Sequence, residues 1–194
     1  RVCCDWRAIN NKLVDYEVFP LPQINDCLEQ LADARWFSSL DLCHGYWQVP
    51  LDDDESKSKT AFMDGRGKQW RFTRMGMGLR HSSAVFQELV SSLVSHVPGA
   101  KVYIDDVLST SSSFEGMLTA LDEIALAFRA EGLTVKPSKC FLGFDELHYL
   151  GYIVGRHGVR LDPSLADSVR AKGSPTTLKE SQRLLGLLNW ARTG

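Results

Sequence analysis

An α+β fold, with helices packed on one face of a mainly antiparallel sheet, follows from three features of this 194-residue chain. Stretches with apolar residues at helical spacing are interleaved with short apolar runs. Tight turn signals join several of those runs into hairpins, where a parallel sheet would need long helical crossovers. The hydrophobic share, 44%, is enough to bury a sizeable core.

Pro22 opens a helix in "PLPQINDCLEQLADAR", because its missing N–H costs nothing in a first turn. Ile24, Cys27, Leu28 and Leu31 then recur at helical spacing. "RWFSSLDL" reads as a strand over 36–42, and "YWQVPLD" after Gly45 alternates as a second strand. The acidic stretch Asp52–Glu55 reads as a solvated turn. "KTAFM" and "KQWRFTRM" flank "DGRG", whose Asp64-Gly65 pair signals a hairpin. "SAVFQELVSSLVSHV" sets Val85, Phe86, Leu89, Val90, Leu93, Val94 and Val97 on one face of a helix that Pro98-Gly99 ends.

A strand at 101–104, a turn at Asp105-Asp106 and a strand at 107–110 come next. Ser112 and Glu115 have the spacing of a capping box for a helix carrying Met117, Leu121, Ile124 and Phe128, with Gly132 as its stop. "LTVKPSKC", "ELHYLGYIV" and "GVRL" read as further strands. "TTLKESQRLLGLLNWAR" reads as a last helix with Leu184, Leu185 and Leu188 inward. Residues after about 156 form a small separate subdomain, and the chain, running from Arg1 to "NWARTG", reads as a segment of a longer polypeptide.

A net charge of −2 does not mark a bulk nucleic-acid binder, but local clusters set the field that a ligand feels. One such cluster holds Arg66, Lys68, Arg71, Arg74 and Arg80 with Trp70 and Phe72 interleaved. It is either a solvated strand face or one wall of a polyanion site. Cys3, Cys4, Cys27, Cys43 and Cys140 show neither a C-x-x-C pair nor matching histidines. That argues against a structural zinc site or a disulfide framework and predicts buried free thiols in a reducing compartment. No apolar run approaches the roughly 18–20 residues of a membrane span.

The chemistry centres on acids. "VYIDDVLS" sets Asp105 beside Asp106, and Asp41 ends the apolar strand of "FSSLDLCHG". If strands 36–42 and 101–104 are neighbours, Asp41 and Asp105 converge with Asp106 alongside. Three carboxylates in one place cannot all ionise without cations. Magnesium supplies them through hard oxygen ligands, and a pair of ions roughly 3.5–4 Å apart serves in-line phosphoryl transfer. An Asp-Asp hairpin turn without glycine also predicts a strained residue, at about 1–3 kcal/mol. On these residues alone, a plain solvated hairpin stays open beside the metal site.

"YIDD" between apolar strands resembles the Y-x-D-D signature of reverse transcriptases. "RVCCDWRAINNK", "FPLPQINDCLEQL", "FSSLDLCHGYWQVPL", "KTAF", "MGMGL", "AVFQ", "YIDDVL", "GLTVKPSKC", "YLGYIV" and "LLGLLNW" run in the order found in gypsy-like LTR retrotransposons, across nearly the whole chain. The resemblance implies a right-hand polymerase palm with partial fingers and the start of a thumb or connection. Residues 1–155 would be fingers and palm; 156–194 would be the hairpin that follows the primer grip and thumb- or connection-like helices.

It further implies RNA-directed DNA synthesis from deoxynucleoside triphosphates on a primed RNA or DNA template. Asp41 and Asp105 would be the main ligands of two Mg2+ ions, with Mn2+ as a substitute, the Leu42 carbonyl filling one metal position and Asp106 a supporting acid. Tyr46 matches the aromatic gate under the sugar, Arg1 the arginine on the triphosphate, and Met77 a residue packing under the base. Tyr149, Leu150, Gly151 and Tyr152 match the primer grip, and the basic cluster would line the cleft. Cys43-His44 lacks partners at ligand spacing. Gly76 and Met77 stand where the family shows Pro-Phe, and Ser83 where it shows proline, which bears on template positioning and fidelity. The implied setting is a Pol polyprotein with protease, ribonuclease H and integrase regions, intracellular in cytoplasmic virus-like particles, with no membrane. Two other readings are a catalytically inactive nucleic-acid-binding fragment of a decayed retroelement and a metal-dependent nuclease. The intact acids argue against the first, and the second has no use for Tyr46 or "YLGYIV".

Overall fold

In the computed structural model, residues 4–13, 19–28, 31, 34–171 and 174–191 are described; Arg1 and Cys3 lie outside them. In chain order come helices Arg7–Asn10 (α1) and Ile24–Leu28 (α2), strand Trp36–Asp41 (β1), a 3₁₀ turn at Gly45–Gln48 and helix Asp54–Lys59 (α3). Short strands Phe62–Met63 (β2) and Gln69–Trp70 (β3), helix Ser82–Val94 (α4), strands Ala100–Tyr103 (β4) and Asp106–Ser111 (β5), and helix Phe114–Ala130 (α5) follow. A 3₁₀ turn at Pro137–Lys139 leads to strands Phe141–Phe144 (β6), Glu146–Tyr149 (β7), Tyr152–Gly155 (β8) and Gly158–Leu161 (β9). Helices Pro163–Ala171 (α6) and Leu178–Ala191 (α7) come last.

The central sheet has the order β4-β5-β1-β6, every pair antiparallel. Successive strand residues point to opposite faces, so Val107 and Leu108 enter different cores. On one face Leu42, Val102 and Val107 pack against Phe86, Val90 and Val94 of α4 and Ala120, Ile124 and Phe128 of α5. On the other, Phe37 and Leu108 pack against Cys27 and Leu28 of α2 and against Leu147, Tyr149, Tyr152 and Val154. Those last four belong to a second sheet, β7-β8-β9. The helix layer on one face is as expected; a small sheet seals the other.

Several local expectations are corrected. The span 46–52 is not a strand: residues 45–48 wind into a 3₁₀ turn, and only Pro50 bridges, to Arg74. The Gln48 amide bonds to the carbonyls of Cys43 and Thr134, so long-range side-chain bonds replace a ladder. The acidic run does not form a plain turn. Asp53 caps α3 by accepting from Ser56 N at 2.6 Å, and Asp54 and Glu55 occupy the favourable first turn. The hairpin at Asp64-Gly65 forms as expected, β2 pairing with β3, but the left-handed residue is Gly67, at φ 76°, with Asp64 accepting from Arg66 N and Lys68 N.

Ser113, not Ser112, caps α5, and its bond goes to Gly116 N, so no reciprocal box forms. Residues 133–140 do not form a strand, because Pro137 starts a 3₁₀ turn, and the strand paired with β1 is β6. Of the four described cysteines, all free thiols, Cys27 alone is fully buried. Leu185 and Leu188 are exposed and not inward, since the main neighbour of α7 is α6.

One glycine holds the α4–β4 connection against the sheet. Gly99 has φ 77°, and a Cβ there would lie 2.2 Å from the Thr110 carbonyl oxygen. Gly99→Ala should destabilise the fold by at least about 2 kcal/mol, combining left-handed strain with a backbone clash. Urea unfolding monitored by circular dichroism measures the shift in midpoint.

Candidate active site

β1 ends on Asp41 and β5 begins on Asp106, and the two residues are direct cross-strand partners. Opposed residues share a face with Cβ atoms about 4.5–5.5 Å apart. The expected neighbour of β1 was strand 101–104; the structure places β5 between them. β5 takes the inner position because Val107, Leu108 and Ser109 are buried and need cover on both faces. The hairpin turn also sits one residue earlier than expected. Tyr103 pairs with Asp106, so Ile104 and Asp105 form the two-residue loop. The left-handed residue is Ile104, at φ 57°, and neither aspartate. Asp105 is fixed beside β1 by its carbonyl, which accepts from Leu42 N at 2.9 Å.

Asp41, Leu42, Tyr46, Met77, Asp105 and Lys139 line a cavity of about 360 Å³. Gly45 lies beside Phe86 and Asp105 at the cavity, and a Cβ there would meet them at 3.4 Å and 3.5 Å as ordinary packing contacts. The Tyr46 hydroxyl donates to Ser83 Oγ at 3.1 Å, and its ring meets Phe86 edge-on at 5.7 Å. Ser83, a departure from the family pattern, thus anchors the tyrosine. Met77 is 42% exposed at the cavity, and its carbonyl accepts from Trp6 Nε1 at 2.7 Å. The Trp6 ring lies so close to Gly76 that a Cβ there would be 3.0 Å away. That contact gives the glycine a steric reason.

The segment after Leu133 crosses the end of β1. Cys43 N donates to the Thr134 carbonyl at 2.9 Å, and Lys136 N to the Asp41 carbonyl at 2.8 Å. Lys139 Nζ thereby stands 2.6 Å from Asp41 Oδ2 and donates to it, which raises the lysine above its ordinary range. Asp106, half-buried, is pushed up to about 6, first by burial, then by the charges of Asp105 and Asp41, with Lys139 acting in the opposite sense.

Among the described residues no three His, Cys, Asp or Glu side chains stand close enough to hold a metal ion as they are. Asp106 does not line the cavity; Asp41, Asp105 and Leu42 do. Two carboxylates and a carbonyl are hard oxygen donors, and their excess negative charge already draws in an ammonium group. That donor set fits a divalent cation.

The turn between Tyr149 and Tyr152 has Leu150 at φ 48° and Gly151 at φ 79°. Both tyrosines are buried in the second core, and burial raises the Tyr149 hydroxyl well above its usual range, Asp106 adding to the effect. Strand alternation sets Asp41 and Asp106 on the face of Phe37 and Leu108, toward this hairpin. The turn lies on the acids' side of the sheet but does not line the cavity. Nor does the basic cluster: Arg71 pairs with Asp54 at 3.3 Å, Lys68 covers Trp70, and Arg74 donates to the Gln48 carbonyl. Arg1 lies outside the described residues.

Sequence reasoning missed Lys139, Lys136, Gln48 and Trp6. The one local sign was a pair of lysines around Pro137-Ser138, with nothing nearby to say which acid they would meet.

Because Asp106 is raised above the ordinary carboxylate value, it opposes folding when ionised. The cost is present above about pH 6 and fades as the pH falls toward 3.8. Without divalent ions, Asp106→Asn should raise Tm above pH 6 by roughly 2–4 °C, about 1 kcal/mol after solvent screening. The gain should vanish toward pH 4 in thermal melts.

A family-wide profile described as reverse transcriptase (RNA-dependent DNA polymerase) matches residues 1–154. The Pol polyprotein of transposon 412 from Drosophila melanogaster is 32% identical over 194 residues, 99% of this chain and 15% of the relative. That of transposon opus, from the same species, is 29% identical, with 99% and 19% covered. The chain therefore spans a fifth or less of the length of these curated relatives. Among solved structures, a foamy viral protease-reverse transcriptase with RNA/DNA hybrid superposes with TM-score 0.87 at 32% identity, covering 97% of this chain and 25% of that one. The same kind of protein with double-stranded DNA gives 0.88 at 32% identity, covering 99% and 40%. With the profile spanning the acids, the cavity and the whole central sheet, the chain belongs to the reverse transcriptase (RNA-dependent DNA polymerase) family.

Proposed function

We propose that the chain carries the catalytic palm of an RNA-directed DNA polymerase that extends a primer 3′ end with deoxynucleotides and releases pyrophosphate. The observation that supports this best is that Asp41, Asp105, Leu42, Tyr46 and Met77 meet on one cavity, in a chain of this family.

Reverse transcriptases generally depend on divalent metal. Here Asp41, Asp105 and the Leu42 carbonyl would hold two Mg2+ ions, or Mn2+ in their place, with Asp106 as a supporting charge. Such ions, when bound, activate the attacking hydroxyl and neutralise charge on the leaving phosphate. The protein's own share is positional. β1 and the Ile104–Asp105 turn present two carboxylates at one place without moving parts. The Tyr46 ring, pinned by Ser83 and Phe86, fills the space a ribose 2′-hydroxyl would need. Lys136 and Lys139 give the cavity rim a positive field that favours a triphosphate. Met77 offers an apolar surface for the base, and the 149–152 turn, on the acids' side of the sheet, supports the primer strand. Arg1 is assigned to the triphosphate. The solved relatives hold RNA/DNA hybrid or double-stranded DNA, which supports a primed nucleic-acid duplex as partner. Membership in a longer Pol polyprotein is supported by the relatives' names.

The test is extension of an annealed DNA primer on an RNA template with Mg2+. Asp41→Asn and Asp105→Asn should each lower the rate by more than about 100-fold, beyond the loss typical of a mere outer-shell partner. Their thermal melts should stay close to wild type. Wild-type extension by either variant, or none by the wild-type chain and a longer version of it, overturns the reading. Tyr46→Val should reduce the preference for deoxy- over ribonucleotides by at least about tenfold, roughly 1.4 kcal/mol. Competing dATP and ATP incorporation measures it.

A further inference from the structure

The "AVFQ" block ends in a residue that the reaction scheme leaves without a role. Gln87, on α4, is 1% exposed. A buried primary amide demands partners, and Gln87 finds all of its described ones around the acid-bearing hairpin or on its own helix. Its Nε2 donates to the Val102 carbonyl at 3.0 Å and to Ser91 Oγ at 2.9 Å. Its Oε1 accepts from Ile104 N at 2.7 Å. β4 is the edge of the central sheet, so its outward backbone groups lack a strand partner. The glutamine amide serves as one, donating to residue 102 and accepting from residue 104, as a further strand would.

Ile104 is the residue that most needs such a tether. A β-branched side chain at φ 57° is held against its own preference, at about 1–3 kcal/mol. Asp105 follows directly, and its carbonyl is tied to Leu42 N. The loop is therefore clamped on both sides: Gln87 before the aspartate, β1 after it. These two bonds add to the packing of Ile104 against the first core and the Tyr103–Asp106 pair that closes the hairpin.

We propose that Gln87 is a positioning residue for the polymerase reaction, its amide locking Ile104 in the left-handed conformation and so fixing Asp105 relative to Asp41. This role rests on the function proposed above.

The test uses the whole chain with Gln87→Met, which keeps length and apolar bulk but removes both backbone bonds. Three readouts are taken: amide hydrogen exchange at Ile104, Mn2+ binding by electron paramagnetic resonance, and steady-state extension. The Ile104 amide should exchange at least about tenfold faster, as expected for a lost hydrogen bond. Mn2+ affinity should fall by about 10–100-fold, the range for losing a group that orients a ligand. In extension, kcat should fall more than the KM for nucleotide changes. Adding Ile104→Gly, which removes the conformational strain, should recover part of both losses. A folded Gln87→Met chain with wild-type Mn2+ affinity and extension overturns the role.

Should Gln87→Met fail to fold, Gln87→Glu decides. It keeps the acceptor for Ile104 N, so exchange should stay slow and extension should stay within about tenfold of wild type. Wild-type extension in a Gln87→Glu chain whose Ile104 amide has lost protection overturns the proposal. If neither the wild-type chain nor a longer version of it extends a primer although the chain binds Mn2+, the polymerase reading fails, and the exchange and Mn2+ results still judge Gln87.

Discussion

The pairing of β1 with β5 is the constraint on which the site depends. It runs through six residue pairs and ends with two carboxylates facing each other, Asp41 against Asp106. Like charges directly opposite on a sheet are destabilising, so the pairing has to be enforced from elsewhere. The enforcement is apolar. Val107 binds the first core and Leu108 the second, both fully buried, while Phe37 of β1 enters the second core and Leu42, just past the end of β1, the first. A slip of one residue would turn every one of these side chains to the wrong face. The acids are held together because the register is decided several residues away from them.

Around that fixed point, the cavity is built from short segments joined by a few long-range hydrogen bonds each. The 134–139 segment is tied to Asp41 and Cys43 by backbone bonds, and Gln48 ties it to the 3₁₀ turn, accepting from Thr134 N at 2.6 Å. The 76–78 loop rests on Trp6, whose own helix is anchored by Asn10 on Gly78 and Arg80. None of these pieces is a regular element that could stand alone. Each is short, and each depends on a partner more than 60 residues away or nearly so in sequence terms, as the Trp6–Met77 separation of 71 shows.

That dependence explains what could be read from the sequence and what could not. The helices α4 and α5 were legible because their apolar faces repeat within one window, and Gly132 marks the end of α5 by its local geometry, φ 69°. Asp41, Asp105 and Asp106 were legible as a group because all three sit at or next to strand ends. Their neighbours were not. Whether β1 meets β4 or β5 depends on which strand needs burial on both faces. The left-handed residue was misplaced onto the Asp-Asp pair because turn rules disfavour isoleucine there, and only tertiary bonds from Gln87 and Leu42 override them. Lys139 could not be assigned to Asp41 because 98 residues separate them. The strand reading of 46–52 failed for a similar reason: alternation is local, whereas Gln48 bonds across 86 residues to Thr134.

The one-residue shift of the turn changes how two adjacent acids coexist. Had Asp105 and Asp106 both been loop residues, they would share one solvated environment and repel without distinction. Instead Asp105 occupies the loop, exposed and facing the cavity, while Asp106 is the first residue of the ladder, half-buried beside Asp41. The surroundings of Asp106 raise its proton affinity. Burial comes first among the causes that raise Asp106, and the neighbouring charges only add to it. Asp105 faces the cavity where a cation would bind, while its neighbour Asp106 takes up a proton more readily than an ordinary carboxylate. Lys139 moderates the same field from the other side, through Asp41. The site is thus charged by three acids but divided between water and sheet, which lets the chain fold around a cluster that would otherwise oppose its own assembly.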